Sequence, residues 1–361
     1  MRKFLALTCL ALLGCSPSGA GKSYVLGAAG PWTEGYGAMC RRGIELARDQ
    51  VNASALLRGA KLDIKFENDS ADGAVAARIA QGFVDDAAVL AVVGHMSSAA
   101  MLSAARVYDG SLPAVATTVT TPALTGLSPW VVRVISSDSV NGAQLAAAAG
   151  RLGLKRAAIL FENDSYGRGL ATSFRGAFKG RIIASDPISG SLANAEPYIT
   201  WLARERPDVV LVAGNDASAL VILREARRQQ FSTQFMGGDG WTPVIADTAA
   251  SEGALIGAPF TAEDRRPDAR KFVEAFRAKY GVDPDGNAAL GYDATLTLAR
   301  AIAGAGPDRR QIRRWLHELT AATAVPGATG PIRFLSNGDR VGNGLVLTRA
   351  RRGQLVMEAA P

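Results

Sequence analysis

The chain has 361 residues, 48% of them hydrophobic and 20% charged, with a formal net charge of +7. That length suits two ordinary globular domains, and the composition excludes a disordered or fibrous chain. The basic excess is spread out, with no long run of like charge and no basic stripe interleaved with aromatics, so nucleic acid is not an expected partner.

The amino-terminal segment reads as a targeting signal. Arg2 and Lys3 precede an apolar run from Phe4 to Leu13, too short to cross a bilayer as a helix. Its end, Leu12-Leu13-Gly14-Cys15, is similar to a bacterial lipobox, in which the cysteine is acylated and becomes the first residue. On that reading residues 1–14 are a signal peptide, Cys15 carries lipid, and 15–22 form a tether to a membrane. An ordinary cleaved signal with a chance cysteine is the alternative. Loss of Arg2 and Lys3 lowers the formal charge to +5. Cys9 leaves with the signal, so only Cys40 remains and no internal disulfide is expected.

Beyond the tether, apolar strand-like runs alternate with amphipathic helical runs. Strands are expected at 23–29, 62–67, 89–94 and 113–116, with helices at 35–52, 72–85 and 98–108 between them. A polar stretch from Ser136 to Ser139 precedes a second series. There, helices at 143–152, 166–178, 195–205 and 217–229 alternate with strands at 156–161, 182–186, 209–213 and 234–237. Helices at 272–280, 292–303 and 309–323 follow, and 332–334 with 344–356 reads as a terminal hairpin. This alternation predicts βαβ units and parallel sheets in two α/β lobes. In open sheets of this kind a ligand sits beyond the carboxyl ends of the strands. No Pro- or Ser-rich linker separates the lobes, so short hinge strands are expected to join them.

Signatures of catalysis are missing from the sequence. His95 and His317 are isolated, and there is no Gly-x-Ser-x-Gly elbow. Ser18 to Ser23 fails as a phosphate loop, because Ser16 holds the first glycine position and no strand precedes it. No enzyme, metal or cofactor is therefore expected.

Polar residues that follow strands carry what chemistry there is. Val92 to Ser98 runs from a buried strand into a helix start, where free N–H groups, the helix dipole and serine hydroxyls suit a carboxylate. Helix capping is the plainer reading of the same corner. Thr117 to Pro122 gathers threonines after the next strand, and loop filler is the alternative. Asp239, among Gly237, Gly238 and Gly240, can approach an ammonium group closely, or it is a turn-forming aspartate. Phe-Glu-Asn-Asp-Ser occurs at 66–70 and 161–165, both at strand-to-helix junctions, and reads as capping chemistry.

Several of these segments occur in a telling order. Gly27 to Pro31 is followed by Tyr36-Gly37 and Gly43 to Ala47, then Val93 to Ser98, Thr118 to Thr125, Tyr166 to Ala171, and Gln234 to Gly237. In that order and spacing the chain resembles the branched-chain amino acid-binding family of periplasmic proteins. The resemblance implies a type I fold: two doubly wound parallel-sheet lobes joined by a multi-strand hinge. It assigns 23–138 with 267–337 to the first lobe and 139–266 with 338–361 to the second. Ser98 and Thr120 would hold a ligand carboxylate, helped by the backbone near Thr118, and Asp239 would pair with an ammonium. Tyr166 would reach in from the second lobe, with Trp32 or Tyr36 walling the side-chain subsite.

The resemblance also implies an amino-acid-like solute, an ABC permease as partner, a place in the periplasm or cell envelope, and closure of the lobes on binding. The departures bear on specificity. Ala71 and Ser97 stand where some relatives carry a disulfide, and Asp239 is one methylene shorter than the usual glutamate. Asn215 and Asn287 stand where some relatives have aromatics, which implies a more polar side-chain subsite. A sensory protein of the same fold, or a receptor for amides, urea or aromatic acids, are the competing readings.

Overall fold

The computed structural model describes residues 21–342 and 344–358; the 1–14 signal segment, Cys15 and most of the tether lie outside the described residues. The first sheet holds β1 (Ser23–Gly30), β2 (Lys61–Asn68), β3 (Val89–Gly94), β4 (Ala114–Ala116) and β5 (Val131–Arg133). All pair in parallel, in the order β2-β1-β3-β4-β5. β3 reads Val-Leu-Ala-Val-Val-Gly because both of its faces are covered, as parallel strands require. Leu26, Ala28, Ala91 and Val93 face α1 (Gly35–Ala53) and α10 (Gly286–Ala305). Their neighbours Ala29 and Val92 face α2 (Gly73–Asp85) and α3 (Ser98–Tyr108). Period-two alternation within each strand thus supplies both faces of a doubly wound sheet.

The second sheet repeats the design. β6 (Arg156–Glu162), β7 (Arg181–Ile188), β8 (Val209–Ala213), β9 (Gln234–Gly237) and β10 (Leu255–Ala258) are parallel, and β13 (Val346–Arg351) and β14 (Gln354–Met357) join antiparallel at one edge. Ala157, Ile159 and Leu211 face α4 (Asp138–Arg151) and α5 (Ser165–Ala177). Ala158, Leu160 and Val210 face α6 (Glu196–Glu205) and α7 (Asp216–Arg228). The short α8 (Thr248–Ser251) follows.

The chain then returns to the first sheet, where α9 (Pro267–Tyr280), α10 and α11 (Arg309–His317) complete its cover. α1 and α10 press together through two glycines. A Cβ on Gly43 would lie 1.9 Å from Ala288 O, and one on Gly291 would lie 2.5 Å from Cys40 O. Cys40 is fully buried in that seam, and burial pushes its thiol up to about 12, so it serves as a packed apolar group.

The chain passes between the sheets at 134–137, 259–266 and 333–342. These crossings are tied together. Buried Arg133 donates to Asp339 from Nε at 2.8 Å and to Thr121 O from Nη1 at 2.8 Å. Buried Arg340 donates to Val134 O at 2.5 Å and to Gly330 O at 3.0 Å. These bonds tie the crossings into one multi-strand connection between the lobes.

Several expectations need correcting. The helix predicted over 309–323 ends at His317, because Thr320 and Thr323 cap each other's N–H groups and draw the backbone into a turn. Residues 332–334 do not join the terminal hairpin. Instead β12 (Gly330–Ile332) pairs with β11 (Val325–Gly327), and the terminal hairpin is β13 with β14. α9 and α10 begin earlier than predicted, at Pro267 and at Gly286, where Asp285 caps Ala288 N. β5 and β10 were not expected, being too short to show a period.

Candidate ligand-binding cleft

β3 and β4 end facing the carboxyl ends of β6, β8 and β9, and the loops that follow enclose a cavity of ≈170 Å³ between the lobes. That is space for the centres of several water molecules, enough to admit a small polar solute. The bare backbone of Gly169 in α5 lets the second lobe rest on Pro122; a Cβ there would lie 2.8 Å from the proline Cδ.

The first-lobe wall is a helix start. Ser97 is the N-cap of α3 and accepts from Ala100 N at 3.2 Å. Capping therefore falls to Ser97 and leaves Ser98, the next residue, lining the cavity. Ser98 is 7% exposed, and its hydroxyl has no hydrogen-bond partner among the described residues. Thr118 also lines the cavity, and its hydroxyl donates to Met96 O at 2.6 Å, which steadies the loop after β3.

Behind this wall stands a buried polar chain. His95 Nδ1 lies 2.6 Å from Asp69, and its Nε2 lies 3.0 Å from the Tyr108 hydroxyl. Asp69 also accepts from Ala71 N at 2.9 Å, and Ser97 Oγ donates to Ala71 O at 3.3 Å. These bonds hold Ser70 and Ala71 at φ of 50° and 58°, in the left-handed region, and tie the loop after β2 to the start of α3.

The second-lobe wall is built of carboxylates. Asp239 opens a 3-10 helix over Asp239–Ala246 and accepts from the Tyr166 hydroxyl at 3.2 Å. That hydroxyl in turn accepts from Gly240 N at 3.2 Å. Asp164 caps α5 through Gly167 N at 2.7 Å and lines the same cavity. Asn215 and Asp216 start α7. Asn215 donates to buried Glu162 from its backbone N at 3.0 Å and from Nδ2 at 3.1 Å, and Ser218 adds a third donor at 2.6 Å.

The electrostatics follow from this geometry. Burial raises the Asp239 carboxyl to about 6, partly opposed by the Tyr166 hydroxyl and Gly240 N–H. Asp138, fully buried at the start of α4, is raised well above its ordinary value by burial and then by the Asp239 charge. Burial also raises Asp216, with Glu34 of the first lobe adding to it. No lysine or arginine lines the cavity. Among the described residues no cluster of metal-binding side chains occurs. The site can therefore receive a cation at its second-lobe wall and an anion at the start of α3.

Of the residues singled out in the sequence, Ser98, Thr118, Tyr166, Asp239, Tyr36 and Asn215 meet at this cavity. Thr120 and Trp32 do not line it. Thr120 is fully buried in the hinge, its carbonyl accepting from Asp138 N at 2.7 Å and its hydroxyl facing the Asp138 carboxyl. Trp32 turns away to donate to Glu67 O at 2.8 Å and to pack edge-on against Phe66. Asp138 and Asp216 went unremarked in the sequence, and Asp164 was read there only as a cap, which it is. Each stands at a helix start, Asp164 and Asp216 directly after strands, so the rule that pointed to Asp239 also points to those two.

A model of the periplasmic binding protein family matches residues 25–354. The chain belongs to that family. An amino acid binding protein of Pseudomonas aeruginosa is 30% identical over 343 residues, 89% of each chain. The Leu/Ile/Val-binding protein of Escherichia coli is 28% identical over 331 residues, 89% of this chain and 88% of that one. An ABC transporter substrate-binding protein of Desulfitobacterium hafniense, solved in complex with Leu, superposes with a TM-score of 0.84 at 28% identity, covering 93% of this chain and all of that one. These relatives place the chain with the branched-chain amino acid-binding members of the family, which are periplasmic solute-binding proteins of the type I fold. The cavity of this periplasmic binding protein lies at the carboxyl ends of the strands in both lobes.

Proposed function

We propose that this protein captures an α-amino acid in the cleft and presents it to an ABC permease. The observation that carries the reading is the opposition of charge across the cavity. The start of α3, with the uncapped Ser98 hydroxyl, faces the Asp239 carboxylate held by Tyr166. The ligand carboxylate lies at the helix start with Ser98 and the backbone near Thr118, and its ammonium lies at Asp239. Binding draws the lobes, 23–138 with 267–337 and 139–266 with 338–361, together about the hinge, and the permease recognises that closed form.

Cys15 carries the lipid that holds the protein at a membrane; Leu12-Leu13-Gly14-Cys15 supports this. Radioactive palmitate should label the full chain and spare Cys15→Ala; labelling of the variant would refute the anchor.

The ligand reading is tested by a thermal-shift panel of amino acids, amides, urea and aromatic acids on the chain from Ser16 onward. A ligand at a hundred times its Kd adds about 2.7 kcal/mol of stability. Hits among α-amino acids support the reading. Hits confined to acids without an ammonium remove Asp239 from its role.

A further inference from the structure

We propose that the solute is an α-amino acid with a cationic side chain, of the arginine, lysine or ornithine class, whose second cation is received at the Asp216 end of the cavity. This rests on the α-amino acid reading of the cleft and names the ligand class within it.

The first argument is charge balance. A zwitterion brings one anion, met by the start of α3, and one cation, met by Asp239. Asp216 and Asp164 then remain on the cavity wall, with no lysine or arginine among the lining residues to oppose them. Asp164 spends one oxygen capping α5, whereas no side chain donates to Asp216. Glu34 of the first lobe lies near enough to push the Asp216 carboxyl further up, so closure brings like charges together at this end of the cleft. A cation on the ligand relieves that repulsion; a neutral side chain leaves it, and an acidic one adds to it.

The second argument is hydrogen-bonding capacity. Asn287, from the start of α10, lines the cavity and is 8% exposed. Its Nδ2 donates to Asp285 at 3.0 Å, while its Oδ1 has no partner among the described residues. Asn215, the residue before Asp216, points its Nδ2 at Glu162, and its Oδ1 lies against Gly240 without a donor among the described residues. Acceptors thus outnumber free donors among these lining groups, and a guanidinium or ammonium carries only donors. An aliphatic side chain placed here would leave the same acceptors dehydrated and unpaired.

The experiment is isothermal titration of the wild-type chain from Ser16 with arginine, lysine, ornithine, glutamine, leucine and glutamate. At least one basic amino acid should bind tenfold or more tightly than leucine, and glutamate should be weakest. In Asp216→Asn the ratio of basic-ligand to glutamine affinity should fall tenfold or more, with circular dichroism confirming the fold. Leucine binding as tightly as any basic amino acid, or an unchanged ratio in Asp216→Asn, would overturn this inference while leaving the α-amino acid reading intact. Silence towards every amino acid would overturn both.

Discussion

The two walls of the cleft use opposite chemistry. The first lobe offers hydroxyls, backbone N–H groups and a helix dipole, all fixed by a buried chain from Asp69 through His95 to Tyr108. The second lobe offers ionisable carboxyls: Asp239, raised by burial, and Asp216, raised by burial with Glu34 adding to it. The first wall works through geometry. The second works through charge, so its strength is set by pH and by what the ligand brings. A zwitterion needs both, and neither lobe alone completes the site.

Four measurements would break or sharpen that contrast. The largest effect is expected for Asp239→Ala, which removes the anion facing the ammonium. Affinity for an α-amino acid should fall by about 2–5 kcal/mol in calorimetric titration, and an unchanged Kd would end the contrast altogether. Ser98→Ala removes a donor to the carboxylate and should weaken binding by about 1.5–3 kcal/mol. Its melting temperature should stay near that of the unmutated chain, because Ser97 does the capping.

The third test is pH. Asp239 is raised in the folded protein to about 6, above its unfolded value, so the folded state holds the extra proton between those limits. Unliganded stability should therefore rise, by about 1–3 kcal/mol, as pH falls from about 7 to about 4. Affinity for an ammonium ligand should move the other way, falling as pH drops below about 6, since binding must then expel the proton. In Asp239→Asn both slopes should flatten; slopes that persist would assign the titration elsewhere. The smallest effect belongs to Ser97→Ala. Loss of the α3 cap should cost about 1 kcal/mol in denaturant unfolding while leaving Ser98 able to bind.

Much of the fold was legible because a parallel sheet covered on both faces writes itself as short apolar runs between amphipathic helices. β3, β6, β8 and β9 were read within a residue or two. β10 and β5 were not, since four and three residues show no period. Within the site, Ser98 and Asp239 could be found because each follows a strand at a helix start, whereas Tyr166 came only from the family resemblance. Trp32 and Thr120, whose roles the resemblance implied, were diverted by the tertiary environment. Glu67 O captured the indole N–H, and the Thr120 carbonyl took Asp138 N into the hinge.

The sequence by itself determined two α/β lobes, the order of their principal strands and the helix starts where a ligand could be held, because strand and helix periodicity and capping are local properties. Only the tertiary structure decided that Asp138 and Asp239 share one buried region, that Asp216 feels Glu34 from the other lobe, and that no cationic side chain lines the cleft to offset them. Electrostatic environment depends on distance through space and on exclusion of water, and neither is written in the spacing of residues along a chain.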